Sequence, residues 1–156
     1  MTTPGGLSHF CDGPEIFVQR DELEVAQSPE GTAALFYRRE DYVDERLRWT
    51  LVEGSQPIAA GIEAISTPGH TAGHMSLQVR LARAGEVIYA FDAVPTQWNI
   101  ENDDVTTVGG PEWVSHQREA SHRRLLRLAR EHDAPLIPGH CPRTWGEVGS
   151  APRRFT

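Results

Sequence analysis

The sequence contains no lysine: all fifteen of its basic residues are arginine. Schiff-base chemistry and a phosphate-loop lysine are therefore excluded. Acidic residues outnumber basic ones, and the formal net charge is -7 at pH 7. Without a basic surplus, a nucleic-acid partner is not expected, because a phosphate backbone binds a basic face. We interpret the negative charge as a contribution to solubility.

Cysteine is almost as scarce. Cys11 and Cys141 are the only two, and they form no CxxC pair. Neither a disulfide framework nor a zinc finger is therefore indicated. Cys141 directly follows a histidine, and we interpret it as a buried bystander thiol rather than a metal ligand.

Long apolar runs are also missing. The longest are only as long as a strand, so no membrane span is expected. The start MTTPGG has neither the basic region nor the apolar stretch of a signal peptide, which predicts a cytoplasmic location. Neither a GxSxG nor a strand-linked GxGxxG motif occurs, which argues against a serine hydrolase and a dinucleotide-binding protein.

The composition is that of a soluble globular protein. The chain has 156 residues, of which 38% are hydrophobic and 24% charged, and a single domain is the default at this length. We expect this domain to cover residues 1–148. The tail over residues 149–156 is expected to be flexible.

Apolar and alternating runs predict an α/β fold with a mixed sheet. The predicted strands are Glu15–Gln19, Gly61–Ser66, His74–Leu81, Glu86–Phe91 and Ala134–Ile137. Helices are predicted over Asp21–Gln27 and Pro111–His132. Two hairpins are predicted, one joining Thr50–Val52 to Pro57–Ala59 and one joining His74–Leu81 to Glu86–Phe91. We interpret His116, His122 and His132 as part of a solvated helix face, because none has a partner arranged as in HExxH.

One loop organises the functional argument. Residues 67–74 read TPGHTAGH between two predicted strands. Pro68 and Gly69 turn the backbone sharply, which leaves His70 on a loop at a strand end, where side chains converge on ligands.

Asp92 and His140 follow two further predicted strands. Neighbouring strand ends gather at one edge of a sheet, so His70, Asp92 and His140 are expected to meet. Imidazole with carboxylate suits zinc, iron or manganese. The alternative is that these are ordinary loop histidines, solvated or hydrogen-bonded to backbone.

The TPGHTAGH loop, the aspartate closing a later strand and the late Pro-Gly-His together resemble the metallo-β-lactamase superfamily, in particular its N-acyl-homoserine-lactonase-like branch. The resemblance extends from about Gly5 to about Trp145. It implies a partial αββα fold, mainly the C-terminal half, with a mixed sheet and flanking helices. It also implies two zinc ions, with His70 completing the first site, His140 the second and Asp92 bridging both. Thr71 and His74 would support His70 without binding metal.

The function implied by this resemblance is hydrolysis of a lactone or other carboxylic ester by a metal-bound hydroxide, with Asp92 as the catalytic residue. In a lactonase this activity quenches quorum sensing. Two features depart from the family pattern: its HxHxDH motif is absent, and Pro95 stands where the lactonases carry a tyrosine. We therefore expect a missing N-terminal half or a homodimer as partner. The alternatives are a catalytically inactive truncated relative acting as a binding or dimerising module, and a mononuclear iron protein.

Overall fold

The computed structural model describes residues 7–29, 42, 44–82, 85–105 and 116–148. The chain divides into two compact units, residues 1–53 and residues 54–156. The extent of the expected domain, residues 1–148, stays a prediction, and the expected tail lies outside the described residues. Within the described ranges, no helix is both long and apolar enough to cross a membrane.

The first unit contains two parallel strands and a helix. A short 3-10 helix at Leu7–Phe10 precedes strand β1 (Glu15–Gln19), helix α1 (Arg20–Gln27) and strand β2 (Arg48–Val52). The strands pair in parallel from Glu15 opposite Arg48 to Gln19 opposite Val52. The predicted strand and helix are confirmed here, and the helix begins one residue earlier than expected.

The second unit contains a five-stranded sheet. After strand β3 (Gln56–Ala59) come β4 (Ile62–Ser66), β5 (Met75–Leu81), β6 (Gly85–Phe91) and β7 (Leu136–Pro138). The strands lie in chain order, antiparallel from β3 to β6, and β7 is parallel to β6. The sheet is therefore mixed, as predicted, and the hairpin of β5 with β6 is confirmed.

The predicted hairpin between Thr50–Val52 and Pro57–Ala59 is wrong. β2 pairs with β1, whereas β3 pairs with β4. A two-residue link joins β3 to β4, and Gly61 in that link has a φ of +74°, a conformation that favours glycine in tight hairpin turns. This shorter turn sets the pairing of β3, although Glu53–Ser55 also has the composition of a turn.

Helices pack on the sheet of the second unit. These are α2 (Gln97–Asn102), α3 (His116–Glu131) and α4 (Pro142–Val148). Ile88 and Ala90 of β6 and Leu125 of α3 are fully buried in one apolar cluster. Burial of each large apolar side chain stabilises the fold by about 1.5–3 kcal/mol. This core fixes the height of α3 over the strand ends.

The interpretation of the histidines of α3 as a solvated face is wrong for His122, which is only 1% exposed. Ser121 and Arg118 are buried on the same face, one and two helical turns before Leu125. The face follows the helical period, but half of it is polar, so a hydrophobic pattern does not identify it. His116 is exposed.

His132 lies just after the helix and contacts a carboxylate. Its Nδ1 lies 3.0 Å from Oε2 of Glu86. This contact joins the end of α3 to β6.

Candidate metal centre

The three predicted ligands follow strands that run in the same direction. β4 and β6 are each antiparallel to β5, and β7 is parallel to β6. The carboxyl ends of β4, β6 and β7 therefore share one edge of the sheet. His70, Asp92 and His140 follow these three ends.

The loop carrying His70 is closed by backbone hydrogen bonds. The Thr67 N–H donates to the carbonyl of His74 over 2.9 Å, and the Gly69 N–H donates to the carbonyl of Thr71 over 2.9 Å. Gly69 has a φ of +130°, which favours glycine at this turn. The turn places His70 at the tip of the loop, 41% exposed.

The loops carrying Asp92 and His140 are joined to each other by their backbones. The Gly139 N–H donates to the carbonyl of Val94 over 3.1 Å, and the His140 N–H donates to the carbonyl of Pro95 over 2.6 Å. Pro95 itself is buried. These two bonds place His140 beside the residues that follow Asp92.

Asp92 lies between the two histidines. Nε2 of His140 lies 2.5 Å from Oδ1 of Asp92, and Nε2 of His70 lies 3.9 Å from Oδ2. Each carboxylate oxygen therefore faces a different histidine. The Asp92 side chain is 25% exposed, so the cluster is open to small molecules. The structure brings the three residues together, while their role as ligands stays a prediction.

The types of donor atom fit zinc. Zinc bonds to histidine nitrogen and carboxylate oxygen are about 2.0–2.2 Å long, so two such ligands of one tetrahedral ion lie about 3.4 Å apart. The 3.9 Å separation of His70 and Asp92 is close to this distance. His140 and Asp92, at 2.5 Å, form a direct hydrogen bond, and an ion between them would need this contact to open by about 1 Å.

The number of ligands does not complete a zinc site. A catalytic zinc takes about three protein ligands, whereas a bridging Asp92 with one histidine on each side gives two per ion. Across the described parts of the chain, no group of three or more His, Cys, Asp or Glu side chains is arranged to hold a metal. Any further ligands would have to come from outside these residues.

Thr71 and His74 both belong to the His70 loop. The ring of His74 packs edge-on against that of His70, with centroids 5.8 Å apart and an interplanar angle of 80°. Nδ1 of His74 lies 2.8 Å from Oγ1 of Thr67. Thr71 accepts the Gly69 N–H through its carbonyl, and its support of His70 stays a prediction.

Several side chains that hold the His70 loop were not anticipated from the sequence. Ser121 of α3 donates its hydroxyl to the carbonyl of Pro68 over 2.7 Å. Thr67 and Ser76 beneath the loop are 0% exposed. In the sequence, Ser76 hinted at this arrangement, because it is a polar residue at an inward position of β5.

A stacked aromatic group borders the centre. The ring of Tyr89 stacks on those of Phe91 and Trp145, each with a centroid distance of 6.2 Å. Nε1 of Trp145 donates to the carbonyl of Gly139 over 3.0 Å. Trp145 is 39% exposed, so this group offers an apolar surface next to the loop of His140.

Cys141 is a free thiol that is partly exposed, so the prediction that it is buried is wrong. Hydrogen bonds from the side chain and backbone of Thr144, and then from the backbone of Gln97, lower the pKa of Cys141 to about 7. The thiol is therefore more acidic than an ordinary cysteine.

No protein-family model matches the chain. Individual proteins do. The chain is 30% identical over 157 residues to the N-acyl homoserine lactonase AttM of Rhizobium radiobacter, an alignment that covers 97% of this chain and 58% of that protein. It is 35% identical over 140 residues to an N-acyl homoserine lactonase of a Bacillus species, over 87% of this chain and 50% of the relative.

Solved structures agree. An N-acyl homoserine lactone hydrolase with the product N-hexanoyl-L-homoserine bound at its catalytic metal centre superposes with a TM-score of 0.79 and 26% identity, over 96% of this chain and 56% of that one. The dizinc quorum-quenching lactonase AidC shares the fold, with a TM-score of 0.55 and 15% identity over 81% of this chain and 48% of that one.

The chain spans about half the length of the curated relatives that it matches. Its mixed sheet, its three strand-end residues and its similarity over nearly its whole length lead to the same group of proteins. The chain is a homologue of the N-acyl homoserine lactonases and has the fold of the corresponding part of these metallo-β-lactamase-fold enzymes.

Proposed function

We propose that this chain contributes His70, Asp92 and His140 to the centre of a metal-dependent hydrolase that cleaves a lactone or another carboxylic ester. The observation that carries the proposal is the position of Asp92, one of whose oxygens faces each histidine. The homology to N-acyl homoserine lactonases supports the substrate class.

Zinc is the metal we propose. His70 and His140 would each hold an ion through Nε2, and Asp92 would contribute its carboxylate oxygens. Zinc, when bound, supplies Lewis acidity and lowers the pKa of its water to about 7. An ion at Nε2 of His140 would take the place of the contact between that nitrogen and Asp92.

The residues of this chain would also position the substrate. Phe91 is partly exposed at the end of β6 and directly precedes Asp92, and the exposed Trp145 lies in α4, five residues after His140. Apolar rings beside a polar reacting centre suit a substrate with a hydrocarbon part and an ester group. An N-acyl homoserine lactone has both.

The first experiment is metal analysis of the purified chain by elemental mass spectrometry, after incubation with zinc and removal of excess ion. Alanine variants of His70, Asp92 and His140 are measured beside it. The matched control is His116→Ala, which removes an exposed histidine of α3. We expect near-stoichiometric zinc in the unaltered chain and in the control, and a clear loss in the three variants.

A chain that takes up no divalent metal, or that takes up as much metal in the three variants as in the control, contradicts the proposed centre. If metal is present, hydrolysis of N-acyl homoserine lactones and simple esters is measured with and without chelator. The metal-loaded chain is also mixed with any polypeptide that supplies further metal ligands. If this mixture hydrolyses neither the lactones nor the esters, the proposed substrate class is rejected.

The second candidate is a catalytically inactive relative that acts as a binding or dimerising module. The ligand count among the described residues favours it. Pro95 favours it too, because this residue stands in the place of the lactonase tyrosine and contacts the backbone of His140 through its carbonyl. Chelator-sensitive ester or lactone hydrolysis by the chain excludes this candidate. Self-association in analytical ultracentrifugation, without metal or activity, supports it.

A further inference from the structure

A buried chain of hydrogen bonds lies beneath the loop that carries His70. Nδ1 of His74 lies 2.8 Å from Oγ1 of Thr67. The same hydroxyl lies 3.0 Å from Oγ of Ser76, and Oγ of Ser76 lies 3.1 Å from the carbonyl oxygen of Ala90. We call Thr67, His74 and Ser76 the hydroxyl relay. It connects β4, β5 and β6 at the edge of the sheet where the candidate centre lies.

Burial makes the direction of these bonds decisive. The side chains of Thr67 and Ser76 are 0% exposed, so solvent does not reach a hydroxyl that lacks a partner. Each hydroxyl has one hydrogen to donate, and a neutral imidazole has one N–H. Three hydrogens are therefore shared among three contacts.

One placement of the hydrogens gives every contact a donor. The Ala90 carbonyl has none, so the Ser76 hydroxyl donates to it, beside the Ala93 N–H that reaches the same oxygen over 3.3 Å. Ser76 then accepts from Thr67, whose only hydrogen is thereby used. The remaining contact requires Nδ1 of His74 to donate to Thr67.

The reverse direction leaves a contact unfilled. If Nδ1 of His74 accepted from Thr67, the single hydrogen of Ser76 could fill only one of its two contacts. The oxygens of either Thr67 and Ser76 or Ser76 and Ala90 would then face each other without a hydrogen. Two buried acceptors in this position repel, and buried polar groups are rarely left in that state. The His74 carbonyl offers Thr67 no good alternative, because it lies 3.5 Å away and already accepts the Thr67 N–H.

We propose that the hydroxyl relay fixes His74 in the Nδ1–H form and thereby positions His70 against Asp92. The relay begins in the loop whose tip is His70, and it ends at Ala90, two residues before Asp92. The ring of His74 meanwhile packs against that of His70. The members of the relay are positioning residues, since they act on His70 rather than on a substrate. Only this positioning role rests on the proposed function; the tautomer of His74 does not.

Nuclear magnetic resonance tests the tautomer directly. The histidines are labelled with nitrogen-15, and long-range correlations are recorded at a pH where the ring is neutral. A His74→Gln variant identifies the signals of His74 by their disappearance. We expect a protonated Nδ1 and an unprotonated Nε2. An Nε2–H ring in the unaltered chain overturns the inference, whether or not the chain hydrolyses any substrate.

Variants separate the relay from general damage to the loop. Thr67→Val keeps the shape of the side chain but removes the hydroxyl, and should abolish the preference for Nδ1–H. Thr67→Ser should restore it. The matched control is Ser121→Ala, which removes another buried hydroxyl bond to the same loop and should leave the tautomer unchanged. An unchanged tautomer in Thr67→Val contradicts the relay.

Zinc affinity tests the positioning role. Loss of a residue that orients a metal ligand lowers metal affinity about 10- to 100-fold. We expect Thr67→Val to lower the zinc affinity by this factor, and Thr67→Ser to keep an affinity close to that of the unaltered chain. Equal affinity in Thr67→Val overturns the positioning role. If the unaltered chain binds no zinc, the proposed function fails and the positioning role fails with it, whereas the tautomer result is unaffected.

Discussion

The backbone of Arg118 lies directly against Gly69. A Cβ atom on Gly69 would stand 2.4 Å from both the nitrogen and the Cα of Arg118, closer than any two such atoms approach. The loop that carries His70 therefore rests on helix α3 by its backbone, and the height of the helix sets the position of the loop.

Replacement of Gly69 by alanine should therefore destabilise the second unit. The added methyl group must push the loop from α3, and the φ of +130° is strained for alanine as well, so we expect a loss of about 1–3 kcal/mol or more. Urea unfolding measures it. Gly146→Ala in α4 is the control, because a Cβ there meets nothing within 4 Å. A similar stability for both variants contradicts the close packing.

Arg124 should matter more for stability than its neighbour Arg123. Its guanidinium donates to the carbonyl of Ser66 and to the hydroxyl of Ser55, each over 3.0 Å, and so joins α3 to the end of β4. Arg123 is 67% exposed, and its partner among the described residues is Glu119 on the same helix. We expect Arg124→Met to cost about 1–3 kcal/mol in urea unfolding and Arg123→Met to have little effect. Equal losses would show that the inter-element bonds contribute nothing.

His122 should make the stability depend on pH. Burial lowers the pKa of His122, and this effect outweighs the Asp103 carboxylate 3.4 Å away. The unfolded ring keeps a pKa of about 6.5, so just below that pH the unfolded chain binds more protons than the folded chain. Stability should fall as the pH drops below about 6.5, and should level off once the pH passes the lower pKa of the folded state.

Urea unfolding over a series of pH values measures this dependence. His122→Gln removes the titrating ring and should flatten the curve in that window. His116→Gln removes an exposed histidine of the same helix and should leave the curve unchanged. A slope that survives in His122→Gln assigns the dependence to another group.

The two cysteines should differ in reactivity although both are partly exposed. Hydrogen bonds from Thr144 lower the pKa of Cys141 to about 7, while desolvation, with Asp44 next, raises the pKa of Cys11. The thiolate is the reactive form. Iodoacetamide near pH 7 should therefore label Cys141 first, as mass spectrometry of the digested protein would detect. Thr144→Val should slow the labelling of Cys141 without changing that of Cys11. Equal labelling rates of the two cysteines in the unaltered chain contradict the prediction.

The main residues of the site could be predicted from the sequence, because the residues next to a strand mark where it ends. Apolar runs that stop at Pro-Gly-His or at an aspartate mark the ends of β4, β6 and β7, and strands running in one direction bring those ends to one edge. His70, Asp92 and His140 were identified in this way. The hydroxyl relay was not, because threonine and serine are common in and beside strands, and the sequence does not show which of them contact each other across the sheet.

Two of the wrong predictions, the hairpin of β2 and the solvated face at His122, have a common physical origin. The turn at Glu53–Ser55 and the polar spacing around His122 are local features, whereas the structure at both places depends on distant partners. β2 pairs with β1. The polar face of α3 is buried against the loop that contains Pro68, which accepts a hydrogen bond from Ser121. Long-range packing overrides local preference in such cases.

The backbone bonds from Gly139 to Val94 and from His140 to Pro95 close the intervening chain at its base. The stretch between Pro95 and Gly139, which includes α2 and α3, leaves the sheet and returns to it at one point. Once a loop is closed, doubling its length costs only about 0.6 kcal/mol. A change in the length of the chain between Pro95 and Gly139 should therefore leave the distance from Asp92 to His140 the same.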